Sequence, residues 1–350
     1  MASRDWGNML LTMTDPAGPD PGNGKTPTIA EVASLAGVSI ATVSRVVSGT
    51  RRVGDATRLR VEQAIAATGW SADPAARLLA GGRGDEVVLA LAVASPQEFA
   101  GDPYYARVVA GAQAEAARLG LSLSVHVTRV GSVPALPPLR RKRQHIGAVL
   151  VNVDPWEAAA VHELGWPVVS LGATTPDLPS VDPENEAGAA GAVRHLLARG
   201  RRRIATIAGP ARNPCARERL AGYRSAVRAA GLPGLVASTD FTRPAAAAAT
   251  RRLLDSCPDL DAIFVASDLM ATAVLQVLAA AGRRVPADVA VVGFDDSPPA
   301  LMTVPTLSTV RVRVEEEAAL AVRTLAGPPA GRPLDQRLPT QFVSRASSAA

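Results

Sequence analysis

The stretch from Thr28 to Gly49, TIAEVASLAGVSIATVSRVVSG, admits very few folds. Read as two helices about a tight turn, every position in it has a use. Thr28 can cap a first helix, and Glu31 three residues on completes a capping box. Ile29, Val32, Ala33 and Ala36 recur at helical spacing and form one apolar stripe. Gly37 supplies the turn, because a residue without Cβ enters the left-handed conformation that ends a helix at no steric cost. Val38 fills the angle between the helices and Ser39 caps the second. That helix points Val43 and Val47 inward and leaves Ile40, Ala41, Thr42, Ser44 and Arg45 outward. Small polar side chains and one arginine on the outer face of the second helix make a helix-turn-helix.

The same residues resemble the DNA-reading head of the LacI/GalR repressor family, whose signature is similar to T-I-x-x-V-A-x-x-A-G-V-S-x-x-T-V-S-R-V. Every fixed position of that signature is present here. The resemblance implies a three-helix head, a hinge segment and a two-lobed effector domain. Its third helix is expected over about Gly54 to Thr68, closing the head with Leu59, Ile65 and Ala66. Residues 28–83 carry seven arginines against four acids, the charge balance of a phosphate-binding surface. The DNA-facing set in the head is read as Thr28, Ser39, Ile40, Ala41, Thr42, Ser44, Arg45, Arg52 and Thr57.

The segment Trp70 to Gly82, WSADPAARLLAGG, resembles the family's hinge, which is similar to Y-x-P-N-x-x-A-R-x-L. In the family the hinge turns helical only on operator DNA and wedges a leucine into the minor groove. The residues agree: Asp73 can cap, Pro74 suits a first helical position, and the glycine pair stops the helix. Ala76, Arg77 and Leu79 match the family's DNA contacts, with Leu79 as the wedge. Ala72 and Pro74 depart from the pattern, which leaves the start of the hinge helix open.

At 350 residues the chain is long for one domain. Its 47% hydrophobic content supports a sizeable core, and with only 3% aromatic residues that core must be built from Ala, Val and Leu. A net charge of +5, carried mostly by arginine, suits an anionic partner. Cys215 and Cys257 make neither a disulfide framework nor a metal site, and His126, His145, His162 and His195 read as surface residues. No cofactor is implied, and no stretch is apolar enough over sufficient length to cross a membrane. Residues 1–27 show no period and hold only Arg4 and Lys25, so they read as a disordered arm, or as a translation start placed ahead of Met13.

From residue 85 short apolar runs alternate with amphipathic helices. Strands are expected at Val87–Ala94, Leu121–Val127, Ala148–Val153, Val168–Leu171, Ile204–Ala208, Leu235–Ser238, Ala262–Ala266 and Val289–Gly293. Helices are expected at about 103–119, 155–164, 186–199, 214–230, 243–255 and 269–281. This alternation implies an α/β domain of parallel sheets with helices on both faces. The resemblance makes it two lobes like those of periplasmic sugar-binding proteins, crossed near Val181 and again after Leu307. The domain order is then an arm (1–27), the helix-turn-helix head (28–70), the hinge (71–84) and a two-lobed effector-binding and dimerisation domain (85–346). Between Pro134 and Arg143 three prolines replace a helix, and Arg140 to Arg143 read as a solvated loop.

Ligands of open α/β folds bind at the carboxyl ends of strands. Asn152, Ser267 and Asp295 stand at such ends, Arg217 and Arg219 open the following helix in A-R-E-R-L-A-G-Y, and Phe241 sits in T-D-F-T. The resemblance assigns the grip on a sugar or purine to Arg219 and Asp295, stacking to Phe241, and a first-lobe wall to Tyr104 and Tyr105. Asp296 is not counted in the set. Gly172 and Ser267 stand where relatives often carry Asp and Asn.

The expectation is a sequence-specific DNA-binding repressor controlled by a sugar-like effector. It would be cytoplasmic and associated with the nucleoid, non-catalytic, and a homodimer. The rival is a transport-type sugar-binding protein, which would need a secretory signal and have no use for the head. No Gly-x-Ser-x-Gly or phosphate-binding loop supports hydrolysis.

Overall fold

The computed structural model describes residues 27–48, 53–70, 84–133, 144–172, 177–328 and 335–349. The expectations for the arm before residue 27, for Arg52, for Ala76, Arg77 and Leu79 of the hinge, and for the 134–143 loop lie outside the described residues. The chain divides into two compact units, Met1–Gly82 and Arg83–Ala350.

The first unit is a three-helix head. Helix α1 (Ile29–Ala36) starts at the expected capping box: the Glu31 amide donates to the Thr28 hydroxyl, and the Thr28 amide donates to the Glu31 carboxylate at 2.8 Å. It ends at Gly37, whose φ of 64° is left-handed. The Ser39 hydroxyl accepts from the Thr42 amide at 3.2 Å and so caps α2 (Ile40–Ser48). The two helices are bent by 102° about this turn, within the range of a helix-turn-helix. Helix α3 (Asp55–Thr68) closes the head, but of the expected Leu59, Ile65 and Ala66 only Ile65 takes part. Leu59 is 56% exposed and Ala66 is exposed, while Val61 and Ala64 are buried and Ile65 packs beside them. Positions 61, 64 and 65 share a helical face, and position 59 points away from it.

The second unit holds two parallel sheets. In the first lobe β1 (Glu86–Val93), β2 (Ser122–Arg129), β3 (His145–Val151), β4 (Val168–Leu171), β5 (Ser180–Pro183) and β11 (Asp335–Leu338) lie in the order β11-β5-β4-β3-β1-β2. Every pairing in it is parallel. Helices α4 (Pro96–Gly101), α5 (Pro103–Arg118), α6 (Pro155–Glu163) and α12 (Val314–Ala326) belong to this lobe. Strand β1 is apolar and buried along nearly its whole length, as a central parallel strand must be, whereas edge strand β2 alternates.

The second lobe has β6 (Ile204–Ala208), β7 (Leu235–Ser238), β8 (Ala262–Val265) and β9 (Ala290–Val292) in the order β7-β6-β8-β9, again parallel. Its helices are α7 (Asn185–Ala198), α8 (Pro214–Ala229), α9 (Arg243–Ser256), α10 (Asp268–Ala280) and the short α11 (Pro299–Met302). A two-stranded antiparallel ribbon, β10 (Thr309–Arg311) with β12 (Gln341–Val343), continues beside β9 through a bridge between Val292 and Ser308.

The expected crossings after β5 and after residue 307 are both present. A third was not read from the sequence: the chain returns from β11 to β12 between Leu338 and Gln341. The first and third passages are tied together by the Glu184 amide donating to the Leu338 carbonyl at 2.9 Å.

The histidines correct the sequence reading. His145 is buried, 3.0 Å from the Glu86 carboxylate and against the Trp166 ring. His195 is half-buried, hydrogen-bonded to the Ser348 hydroxyl and set against the Phe342 ring. Both belong to packing rather than to the surface.

Candidate functional site

The loops at the carboxyl ends of both sheets converge on one cleft. Helix α8 supplies its central side chain. Asn213 caps that helix by accepting from the Ala216 amide, Pro214 occupies its first position, and 7% exposed Arg219 projects inward from the next turn. The Arg219 guanidinium donates through Nε to the Asn185 amide oxygen at 2.9 Å and through Nη1 to the Ala266 carbonyl at 2.6 Å. It stands 3.1 Å from the Asp295 carboxylate and 3.8 Å from the centre of the Phe294 ring, so its position is fixed on several sides. Burial pushes the Asp295 carboxyl up to about 6, against the opposing pull of the Arg219 charge.

Backbone strain is concentrated here. The described non-glycine residues with positive φ are Asn152 (57°), Phe241 (68°), Asp295 (115°) and Asp296 (49°). The first three line the cleft. Residues held in such regions persist only where the surroundings over-determine them, and they gather at sites that must present a side chain in one direction. Gly209 shows the same pressure, since a Cβ there would overlap the Phe241 ring. Its bare backbone is what lets that ring lie over the end of β6.

A chain of hydrogen bonds spans the cleft. The Tyr105 hydroxyl donates to Glu98 at 2.9 Å and receives the Asn152 amide at 3.1 Å, while Asn152 in turn accepts from Asn213 of the other lobe at 3.3 Å. Burial raises the Tyr105 hydroxyl pKa well above its ordinary value, so that group stays a donor. Arg107 of α5 also reaches across, donating to the Asp295 carbonyl at 3.2 Å and pairing with Glu315.

Of the residues expected to meet a ligand, Tyr104, Tyr105, Asn152, Arg219, Phe241, Ser267 and Asp295 all line the cleft. The Ser267 hydroxyl also caps α10 by accepting from the Met270 amide. Arg217 does not line it. It is exposed, and its guanidinium folds back to donate to the Ala211 and Arg212 carbonyls. Arg217 and Arg219 are two positions apart, which turns the two side chains to different faces of α8. Asp296 is held away by ion pairs with Arg311 and Arg345 at 2.6 and 2.5 Å.

The sequence reading missed Glu98, Asp102, Asp182, Asn213, Asp240 and Glu317, all of which line the cleft. Cys215 lines it too, with its thiol pushed up to about 11 by burial and therefore not reactive. Asn213 was legible as a capping residue before Pro214. Glu317 lies on α12, where the sequence reading placed no helix.

The head offers a separate face. Ile40 is 51% exposed, Ala41 and Arg45 are exposed, and Thr42 and Ser44 are half-buried along the outer side of α2. Ser39 and Thr28 flank this face at the helix starts, and Thr57 sits in the first turn of α3. Arg45 is the long donor on that row.

Comparison with known proteins finds matches to both units of the chain. Residues 28–73 match the family model described as bacterial regulatory proteins, lacI family, and residues 193–348 match that of a periplasmic binding protein-like domain. The HTH-type transcriptional regulator CelR of Thermobifida fusca is 40% identical over 317 residues, which span 87% of this chain and 93% of that protein. The structure of a CelR–cellobiose complex superposes with a TM-score of 0.71 at 36% identity, covering 92% of this chain and 99% of that one. The lac repressor dimer bound to operator and the anti-inducer ONPF gives 0.77 at 28% identity, covering 93% and 100%.

Proposed function

This chain belongs to the LacI family of bacterial regulatory proteins, and from that premise we propose how its two faces are used. It is a sequence-specific DNA-binding transcriptional repressor. The outer face of α2, with Ser39, Ile40, Ala41, Thr42, Ser44 and Arg45, enters the major groove, and Arg45 reads a guanine. Thr28, Arg52 and Thr57 hold the phosphate backbone, and Ala76, Arg77 and Leu79 engage the minor groove.

The cleft takes a small sugar-like effector and binds it without turnover. The observation that carries this reading is Arg219 locked beside Asp295 under the Phe241 side of the cleft. A fixed donor and a fixed acceptor at strand ends grip neighbouring hydroxyls, and an aromatic face covers the apolar side of a pyranose. CelR, the relative whose complex holds cellobiose, supports that class of ligand.

The protein acts in the cytoplasm as a homodimer, because one helix-turn-helix reads only half of a twofold operator. Leu301, Met302 and Val304 are 62%, 78% and 95% exposed, and Val125 and Val127 are exposed on edge strand β2. Such patches mark association surfaces, and the similar lac repressor was solved as a dimer. The test has two stages. Selection from a random duplex library is expected to return a twofold-symmetric sequence, and a panel of sugars that includes cellobiose, titrated onto that complex, is expected to contain one that releases the DNA. Enrichment of no sequence, or an operator affinity indifferent to a panel of sugars, would overturn the reading.

A further inference from the structure

Among the described residues, Glu317 brings an unmatched carboxyl oxygen to the cleft. It is 4% exposed, and its Oε1 is buried with no hydrogen-bond partner. Four other lining carboxylates have a hydrogen-bond donor or a cation beside them. Glu98 accepts from the Tyr105 hydroxyl and the Ala94 amide, Asp102 from the Tyr104 amide, and Asp240 from Thr242, while Asp295 faces Arg219. The charges acting on Glu317 come from Asp182 and Asp295, which oppose its ionisation, and from Arg219 and Arg107, which favour it. Neither arginine makes a hydrogen bond or ion pair with it. Arg219 is engaged by Asn185, Ala266 and Asp295, and Arg107 by Glu315 and the carbonyls of Asp295 and Val312.

Ionising a buried carboxyl whose oxygen has no donor is costly, and ionising it beside like charges is costlier still. In a cleft built to receive a ligand, that cost is removed when the ligand supplies the missing donors. The local charge points to the same partner. The chain as a whole is net positive by five, yet seven carboxylates and two guanidiniums line the cleft. A hydroxyl brings one donor and no charge, whereas an ammonium brings three donors and offsets the surplus.

We propose that the effector is a sugar carrying an ammonium group, and that Glu317 is the residue that reads that group. This rests on the assignment of the cleft as the sugar-effector site.

The test compares two disaccharides of the same shape, cellobiose and the β-1,4 disaccharide of glucosamine, by isothermal titration calorimetry on the full chain near neutral pH. The parent protein is expected to bind the amino disaccharide at least ~tenfold more tightly. Glu317→Gln, checked for an intact thermal transition, is expected to bring the two affinities together. Equal affinities in the parent, a tighter cellobiose complex, or a preference that survives Glu317→Gln would each overturn the ammonium assignment while leaving the cleft a sugar site. Binding of neither disaccharide would overturn both readings.

Discussion

The side-chain amide of Asn213 donates to Asn152 at 3.3 Å, joining the start of α8 in one lobe to the end of β3 in the other. Asn213 holds this contact while capping α8, and Asn152 passes it on to Tyr105. The helix that carries Arg219 is therefore anchored to the opposite wall of the cleft.

Asn213→Ser separates the two roles, because serine also caps a helix but lacks the reaching amide. The variant is expected to cost about 0.5–1.5 kcal/mol of the closed lobe arrangement. Small-angle X-ray scattering of the ligand-free protein should show a larger radius of gyration. An unchanged profile would show the contact to be idle.

Asp295→Asn keeps the size of the side chain and removes the charge beside Arg219. Effector binding should weaken by about 1.5–3 kcal/mol, the worth of a hydrogen bond to a charged group. Operator affinity without effector should hold, giving a repressor that no longer answers its ligand, since a ligand shifts an equilibrium only by its differential affinity. Anisotropy titrations on the selected operator, with and without effector, measure both quantities. Loss of operator binding in the ligand-free variant would count against the cleft assignment.

Arg45→Ala tests the head. Losing one bidentate guanine contact should cost about 1–3 kcal/mol per half-site and relax preference at one base pair. Weak, salt-sensitive association with any duplex should remain. Footprinting against a library varied at each position reads this directly, and an unrelaxed sequence profile would remove Arg45 from the reading role.

Glu317 also gives a pH prediction. Burial, then the Asp182 charge, raises its carboxyl from 4.5 to about 8 in the fold. The native state then holds a proton that the unfolded chain releases, so stability is present below about 4.5 and is lost as pH rises toward about 8. Asp268, pushed up to about 8 by burial and then by the Asp295 charge, adds a slope of the same sign. Glu317→Gln should remove its share, gaining at least ~1 kcal/mol over the parent at the alkaline end and less at the acid end. Urea melts at both ends check this, and parallel pH profiles for the two proteins would reject it.

The head and the longer α/β elements were legible because their periods are long and their caps explicit. Thr28, Glu31, Gly37 and Ser39 each do locally what their chemistry dictates. Strands β5, β10, β11 and β12 were not legible, since their short sequences SVDP, TVR, DQRL and QFV mix polar and apolar residues without the apolar run that marks equally short strands such as β8. Strand β5 also buries Ser180 and Asp182, which no apolar pattern announces. Glu317 gave no signal of its own, because it is the last of three consecutive acids, Glu315 to Glu317. Its spacing from Val314 and Ala321 places it on the inward face of α12, a signal visible only once that helix is recognised. Arg217 was misread for the complementary reason, as its position in the motif suggests the cleft while the helical turn sends it elsewhere.

The lobes of the second unit are joined by three separate passages of chain, after β5, after β10 and between β11 and β12. A body held by one tether can tumble, and one held by two can still twist. With three, and with Glu184 bonded to Leu338 so that two of them bend together, the lobes keep little freedom beyond a single swing. Ligand energy delivered to the cleft therefore enters one coordinate instead of dispersing over many. Stiffening substitutions placed in any one passage, however distant in sequence, should then produce the same defect.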